Sequence, residues 1–132
     1  MKVKLGSLAT GIAVGGLSAA PIFVVSLLLM PALFAPGPLS ERIVFLAVPL
    51  TLSIFPGCLI GIAVNGVSSG FMAFLGCHLP LARSRIMWTL AGSAVGLLLI
   101  TLTEAIDEWA VALLIASTAS VWLTRHWVEW ES

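Results

Sequence analysis

Charged side chains are scarce in this sequence of 132 residues, of which only 9% are Asp, Glu, Lys or Arg. An ordinary soluble domain has about 25% charged residues, and these cover its surface. The six basic and six acidic side chains also leave no net charge, so no electrostatic pull toward nucleic acid exists. The scarcity therefore excludes an ordinary water-soluble domain, intrinsic disorder and a nucleic-acid partner.

Groups that usually carry chemistry are equally few. The only cysteines are Cys58 and Cys77, which excludes a disulfide scaffold and leaves no CxxC pair. No charged residue falls deep inside a long apolar run, where an ion-coupled pump normally needs one. We therefore assign no catalytic residue, no metal site and no cofactor, and an enzyme is the least favoured class of protein.

Apolar residues, by contrast, make up 60% of the chain and form four runs without formal charge. A helix of about 20 residues crosses a hydrocarbon core of roughly 30 Å, and an apolar run in lipid must be helical to pair its amides. The sequence predicts an all-α integral membrane protein in which residues 1–132 form a single polytopic domain. The fold class is a four-helix transmembrane bundle with spans near 7–33, 41–64, 86–103 and 109–126.

The first apolar run has two interpretations. Lys2 and Lys4 precede it, and Ser18-Ala19-Ala20 resembles the cleavage site of a secretory signal. However, the apolar run continues through Phe34, which favours an uncleaved span. Pro21 lies in the middle of this span and is expected to kink it.

The second run, 43–82, is too long for one crossing, since forty residues make a helix of about 60 Å. It is either one long kinked helix, a span over 41–64 followed by an interfacial segment or a helix extension over 66–80, or a hairpin. Pro49 and Pro56 are expected to kink the second helix, or to divide the run if it forms a hairpin.

The distribution of basic residues favours a single crossing by the second run, because short loops rich in Lys and Arg stay cytoplasmic. With a single crossing, one side holds five basic residues and the other holds only Arg42. The five are Lys2, Lys4, Arg83, Arg85 and Arg125. We expect a protein of the plasma (inner) membrane with both termini in the cytoplasm.

Aromatic and basic residues near the ends of the runs predict where the bilayer surface lies. Indole rings and arginines prefer the headgroup region. The candidates for lipid headgroup contact or anchoring are Arg83, Arg85, Trp88, Trp109 and Trp127.

Eight of the twelve glycines form GxxxG pairs, and two glycines four residues apart share one face of a helix. Such faces let another backbone approach closely, which stabilises helix pairs in lipid. The grooves serve packing inside the bundle, an interface with another subunit, or both, so the expected partners are the bilayer and either further copies or other membrane subunits. The pairs are Gly11/Gly15, Gly57/Gly61, Gly66/Gly70 and Gly92/Gly96.

Polar side chains in the second run are the remaining candidates for function: Ser53, Asn65, Ser68 and Ser69. Asn65 is the only carboxamide in the chain, and it either bonds across a helix interface, lines a polar path, or caps a helix break beside Gly66. Two functions follow as hypotheses. The first is a transport or channel component for a small solute or ion, acting as an oligomer or subunit. The second is a structural subunit that assembles a larger membrane complex.

Overall fold

The computed structural model describes residues 2–34 and 38–131, and within them the side chains of 30–34, 39, 41–46, 48–50 and 53 are not described. This part of the chain is almost entirely helical, as the sequence predicts. The elements in chain order are β1 (Lys2–Val3), α1 (Leu5–Phe34), α2 (Leu39–His78), a 3₁₀ helix (Pro80–Arg83), α3 (Arg85–Thr103), α4 (Asp107–Trp127) and β2 (Trp130–Glu131).

Local chemistry explains where α3 begins and ends. Ser84 precedes the helix, and its Oγ accepts a hydrogen bond of 3.3 Å from the Met87 amide, which caps the first turn. At the other end Glu104 adopts a left-handed conformation, with φ of 52°, and its amide bonds to the Ile100 carbonyl. This conformation stops the helix and turns the chain toward α4.

α4 is the central helix of the bundle. It packs along its length against α1 on one side and against α3 on the other, while α1 also packs against α2. α2 and α3 touch only sparingly, apart from the 3₁₀ helix that joins them. The four helices therefore enclose a common interior that is incompletely closed between α2 and α3.

The sequence of α4 suits its central position. Its buried residues are small or carry a hydroxyl group, except for Val121. Four of them recur every four residues and so form one stripe, which faces α1. The stripe consists of Ala112, Ala116, Ser120 and Thr124.

α2 is one unbroken helix of 40 residues, about 60 Å long. It runs through Pro49 and Pro56 and also through the Asn65–Gly70 segment, so none of these ends the helix. The hairpin and the helix break beside Gly66 are therefore not present in the structure. Residues 66–80, predicted as an interfacial segment or a helix extension, mostly continue α2, which ends at His78.

Three helices of the described residues are long and apolar enough to cross a membrane, and their candidate spans are Leu5–Leu29, Ile54–His78 and Arg85–Thr103. These features are compatible with a membrane location. The candidate span in α2 overlaps the predicted span 41–64 at residues 54–64. α4 has 21 residues but is not among these three; Asp107 and Glu108 lie in its first turn and Arg125 and His126 in its last.

The two ends of the described chain meet at one end of the bundle. β1 and β2 pair antiparallel, with Lys2 opposite Glu131 and Val3 opposite Trp130. The Lys4 amide also bonds to the Glu129 carbonyl at 3.1 Å. We call this end of the bundle the terminal end, and the opposite end, which holds the α3–α4 turn at 104–106, the loop end.

An apolar cluster fills the terminal end. Trp88, which is fully buried, lies at its centre and donates a hydrogen bond of 2.9 Å from Nε1 to the Ala82 carbonyl. Met72, Val121 and Val128 complete the buried cluster, so that α2, α3, α4 and the segment after α4 converge here. This half of the bundle is closely packed.

Candidate functional site

Asn65 lies at the meeting point of α1, α2 and α4, where only 3% of its surface is exposed. Its Nδ2 donates hydrogen bonds to Thr124 Oγ1 at 2.7 Å and to the Ile12 carbonyl at 3.2 Å. Its Oδ1 accepts a hydrogen bond of 3.1 Å from Ser69. The carboxamide thus bonds across helix interfaces, which is one of the roles predicted for it.

Thr124 and Ser120 extend this network onto the backbone of α1. Thr124 Oγ1 lies 3.0 Å from the Gly11 carbonyl and 3.0 Å from the Ser120 carbonyl, either of which its hydrogen can reach. Ser120 Oγ donates to the Gly15 carbonyl at 2.7 Å. We call Asn65, Ser69, Ser120 and Thr124 the Asn65 cluster. Each interhelical bond of this kind contributes about 1 kcal/mol in a membrane.

Glycines on α1 make these short bonds possible. A Cβ at Gly11 would lie 2.7 Å from the Thr124 carbonyl, and a Cβ at Gly15 would lie 2.5 Å from the Ser120 carbonyl. Gly16 faces a different helix, because a Cβ there would lie 2.5 Å from Ile62 Cα on α2. The adjacent glycines therefore let α1 approach α4 and α2 closely at the same level of the bundle.

The other glycine pairs differ in how closely a neighbouring helix approaches them. Gly57 and Gly61 face Ala20 and Gly16 on α1. Gly92 and Gly96 face α4 near Thr118 and Ser117, while a Cβ at Gly70 would meet nothing within 4 Å and one at Gly66 only Ile12, at 3.6 Å. Six of the eight predicted packing glycines thus lie against other helices of the same chain.

A chamber of about 580 Å³ lies between the Asn65 cluster and the loop end. All four helices line it, and its lining is almost wholly apolar. On α2 the lining runs from Pro56 to Ser68, and on α4 from Trp109 to Val121. Ile60 lines the chamber yet is 63% exposed, which places the opening at the gap between α2 and α3.

The few polar groups that border the chamber already have partners. Ser68 Oγ bonds to the carbonyls of Val64 and Asn65 on its own helix, at 3.0 and 3.2 Å. Ser117 Oγ bonds in the same way to Leu113 at 2.8 Å and to Leu114 at 3.1 Å. Asn65 and Ser120 bond within the Asn65 cluster. The chamber is therefore suited to an apolar occupant rather than to a hydrated ion.

The structure separates the polar candidates of the second run. Asn65 and Ser69 lie together in the Asn65 cluster, whereas Ser68 borders the chamber. The side chain of Ser53 is outside the described part of the chain. Within residues 2–34 and 38–131, no group of three or more His, Cys, Asp or Glu side chains is placed to hold a metal ion.

The residues predicted to contact headgroups occupy different environments. Trp88 is fully buried in the apolar cluster, so in this structure it cannot contact lipid. Trp109 and Trp127 are 49% and 47% exposed, at the loop end and the terminal end. Arg85 is exposed, whereas Arg83 donates to the Gly76 carbonyl at 2.6 Å and its guanidinium lies 5.5 Å from the Trp130 ring centre.

Sequence reasoning missed Thr124 and Gly16, which are both central to the site. The signal for Thr124 was available, since it extends the four-residue spacing of Ala112, Ala116 and Ser120. Gly16 belongs to no GxxxG pair, because Ile12 and Ala20 occupy the positions four residues away. Only the packing of α1 against two helices reveals its role.

Comparisons with family models, with curated proteins and with solved structures found no match for this chain.

Proposed function

We propose that this chain is a small multi-pass membrane protein that binds an apolar solute inside the bilayer. It acts as a binding or transport component, as an oligomer or together with other membrane subunits. The chamber carries the proposal, because an apolar space of about 580 Å³ lies in the range of pockets that bind small molecules. Its opening between α2 and α3 gives a solute dissolved in lipid a direct route of entry.

The polar groups support a solute rather than an ion. A path for ions needs charged side chains, free carbonyl groups or free hydroxyl groups along its length. Every side chain of the Asn65 cluster instead bonds to another helix or to another member of the cluster. The cluster closes the chamber at one end and holds α1, α2 and α4 together.

The proposed arrangement in the membrane has four crossings, with α4 crossing between α1 and α3. The pairing of β1 with β2 supports an even number of crossings, since it holds the two chain ends side by side. Lys2, Lys4, Arg83 and Arg125 all belong to the terminal end, as the Arg125 bond to the Arg83 carbonyl illustrates. The positive-inside rule then favours a cytoplasmic terminal end in a plasma (inner) membrane.

A structural subunit of a larger complex is the alternative function. The exposed face of α2 around Gly70 favours it, because Val67, Phe71 and Phe74 are 78%, 61% and 62% exposed there. Gly92 and Gly96 of α3, in contrast, already pack against α4. A partner of this kind would therefore dock on α2, and Gly70→Leu would release it while leaving the bundle folded.

Native mass spectrometry of protein purified from its own membranes tests the proposed function. We expect about one bound small molecule per chain. Ser68→Phe, which places a ring inside the chamber, should lower this occupancy at least fivefold, whereas Val67→Phe on the adjacent exposed position should leave it unchanged. A wild-type mass without a ligand would contradict the proposal, and faster K⁺ leakage from proteoliposomes than from empty liposomes would favour an ion path.

A further inference from the structure

We infer that the occupant of the chamber is a single acyl chain of a membrane lipid, which enters from the leaflet at the loop end. This inference rests on the proposed function and specifies the class of ligand. The length, the apolar lining and the position of the chamber carry it.

The length of the chamber matches one leaflet. Its lining on α2 runs from Pro56 to Ser68 and on α4 from Trp109 to Val121, and each stretch covers about 18 Å of helix. Half of a hydrocarbon core of roughly 30 Å is about 15 Å. Val95, which lines the inner end of the chamber, also lies next to the middle of the candidate span Arg85–Thr103, so the chamber ends close to the centre of the bilayer.

The lining of the chamber suits a hydrocarbon chain. Its walls are almost wholly apolar, and the hydroxyl groups of Ser68 and Ser117 at its border are bonded to their own helices. A single extended acyl chain therefore meets apolar side chains along the length of the chamber.

The two ends of the chamber define the direction of the chain. Trp109 lines the loop end of the chamber, packs against Phe23 at 5.7 Å between ring centres, and is half exposed. An indole in that position suits the boundary between headgroups and hydrocarbon. The other end meets the Asn65 cluster, whose hydrogen bonds are complete, so the methyl end of a chain can lie there without leaving a polar group unpaired.

Photolabelling in phosphatidylcholine liposomes tests this assignment with two probes at a few mole percent. One is a phosphatidylcholine with a diazirine at the end of one acyl chain, and the other has the diazirine next to the ester. We expect the chain-end probe to label Val64 and Val121, and the ester-proximal probe to label Trp109. Ile115, which is 41% exposed on the opposite face of α4, serves as an internal control for contact with bulk lipid.

Chamber-filling variants give the decisive comparison. Val95→Phe should reduce labelling of Val121 at least fivefold relative to Ile115, while Ala94→Phe, on the neighbouring exposed position, should not change it. Ser68→Phe provides a second filled chamber should Val95→Phe fail to fold, as judged by helical circular dichroism. Labelling of Val121 that survives filling, or that is stronger with the ester-proximal probe, would overturn the inference.

The outcomes also separate this inference from the proposed function. A small molecule other than a lipid that is retained by the wild type and lost in Ser68→Phe would overturn the acyl chain and leave the proposed function standing. A chamber that retains no molecule and is labelled by neither probe would overturn both.

Discussion

The two halves of this bundle are built differently. In the half toward the terminal end, α1 and α4 approach through Gly11 and Gly15, and a fully buried Trp88 lies at the centre of an apolar cluster. In the half toward the loop end the same four helices leave a chamber of about 580 Å³. The same four helices therefore pack closely on one side of the Asn65 cluster and leave an open chamber on the other side.

The comparison shows how a small chain can combine stability with an internal space. Lipid supplies no hydrophobic force between helices, so a membrane bundle depends on close backbone contact and interhelical hydrogen bonds. Most of the hydrogen bonds that join α1, α2 and α4 lie at the Asn65 cluster, whereas close backbone contact continues into the loop half at Gly57 and Gly61. The loop half can therefore contain an internal space while its helices stay in contact.

The largest loss of stability is expected for Gly15→Leu, in the closely packed half. The new side chain would collide with the Ser120 carbonyl and with Asn65, and we expect the free energy of unfolding to fall by about 3 kcal/mol. Titration with SDS in mixed micelles, followed by tryptophan fluorescence, measures it. Gly70→Leu is the matched control, because its Cβ meets open space, and a comparable loss there would refute the packing argument.

Asn65→Leu removes the hydrogen bonds at the boundary between the halves. It eliminates the bonds to Thr124, Ile12 and Ser69 at nearly constant volume, and we expect a loss of about 2 kcal/mol in the same titration. Ser68→Ala should change the free energy of unfolding by less than about 0.5 kcal/mol, since its hydroxyl bonds only to its own helix. Equal effects for the two variants would mean that the cluster does not join the helices.

Glu104→Gly tests the turn between α3 and α4 at the loop end. Glu104 has a φ of 52°, a left-handed conformation that glycine adopts without strain, so this variant should be more stable by about 1 kcal/mol. Thr103→Gly, one residue earlier in regular helix, should lower stability by a few tenths of a kcal/mol up to about 1 kcal/mol. Thermal unfolding in a single detergent shows whether each variant is more or less stable than the wild type. A destabilised Glu104→Gly variant would contradict this account of the turn.

The smallest effect is expected for Lys4→Gln at the terminal end. The Lys4–Glu129 ion pair is 3.1 Å long, but its side chains are 55% and 66% exposed. An exposed pair of this kind contributes about 0–1 kcal/mol, so Lys4→Gln should hardly alter the SDS titration. Val128→Ala, a buried position one residue from Glu129, should cost about 1–2 kcal/mol and serves as the contrast. A larger loss for Lys4→Gln would mean that the ion pair, rather than the apolar cluster, holds this end.

Length and hydropathy were enough to predict three of the four helices closely. The predicted 7–33, 86–103 and 109–126 lie within two residues of the bounds of α1, α3 and α4. α2 was harder, because proline and glycine are tolerated inside long apolar helices and therefore do not show where such a helix ends. The kinks predicted in α1 and α2, the sides of the two termini and the crossing by α4 stay predictions.

The candidate site was only partly predictable, for a different physical reason. Asn65 was identified as a unique carboxamide, but its partner Thr124 lies 59 residues away and faces it only because α1 brings α2 and α4 together. Trp88 shows the same difficulty, since a tryptophan near the end of an apolar run is equally compatible with a headgroup belt and with a buried cluster. The pattern along one helix does not say which neighbour each face meets.

The bond from Ser120 to Gly15 spans 105 residues of sequence, which has a consequence for biosynthesis. At about 5–20 residues per second, a ribosome needs roughly 5–20 s to make the stretch between them. Throughout that interval the two hydroxyl groups that bond to the Gly11 and Gly15 carbonyls have not yet been translated. The hydroxyl groups that complete the glycine face of α1 thus become available only after α2 and α3 have been made.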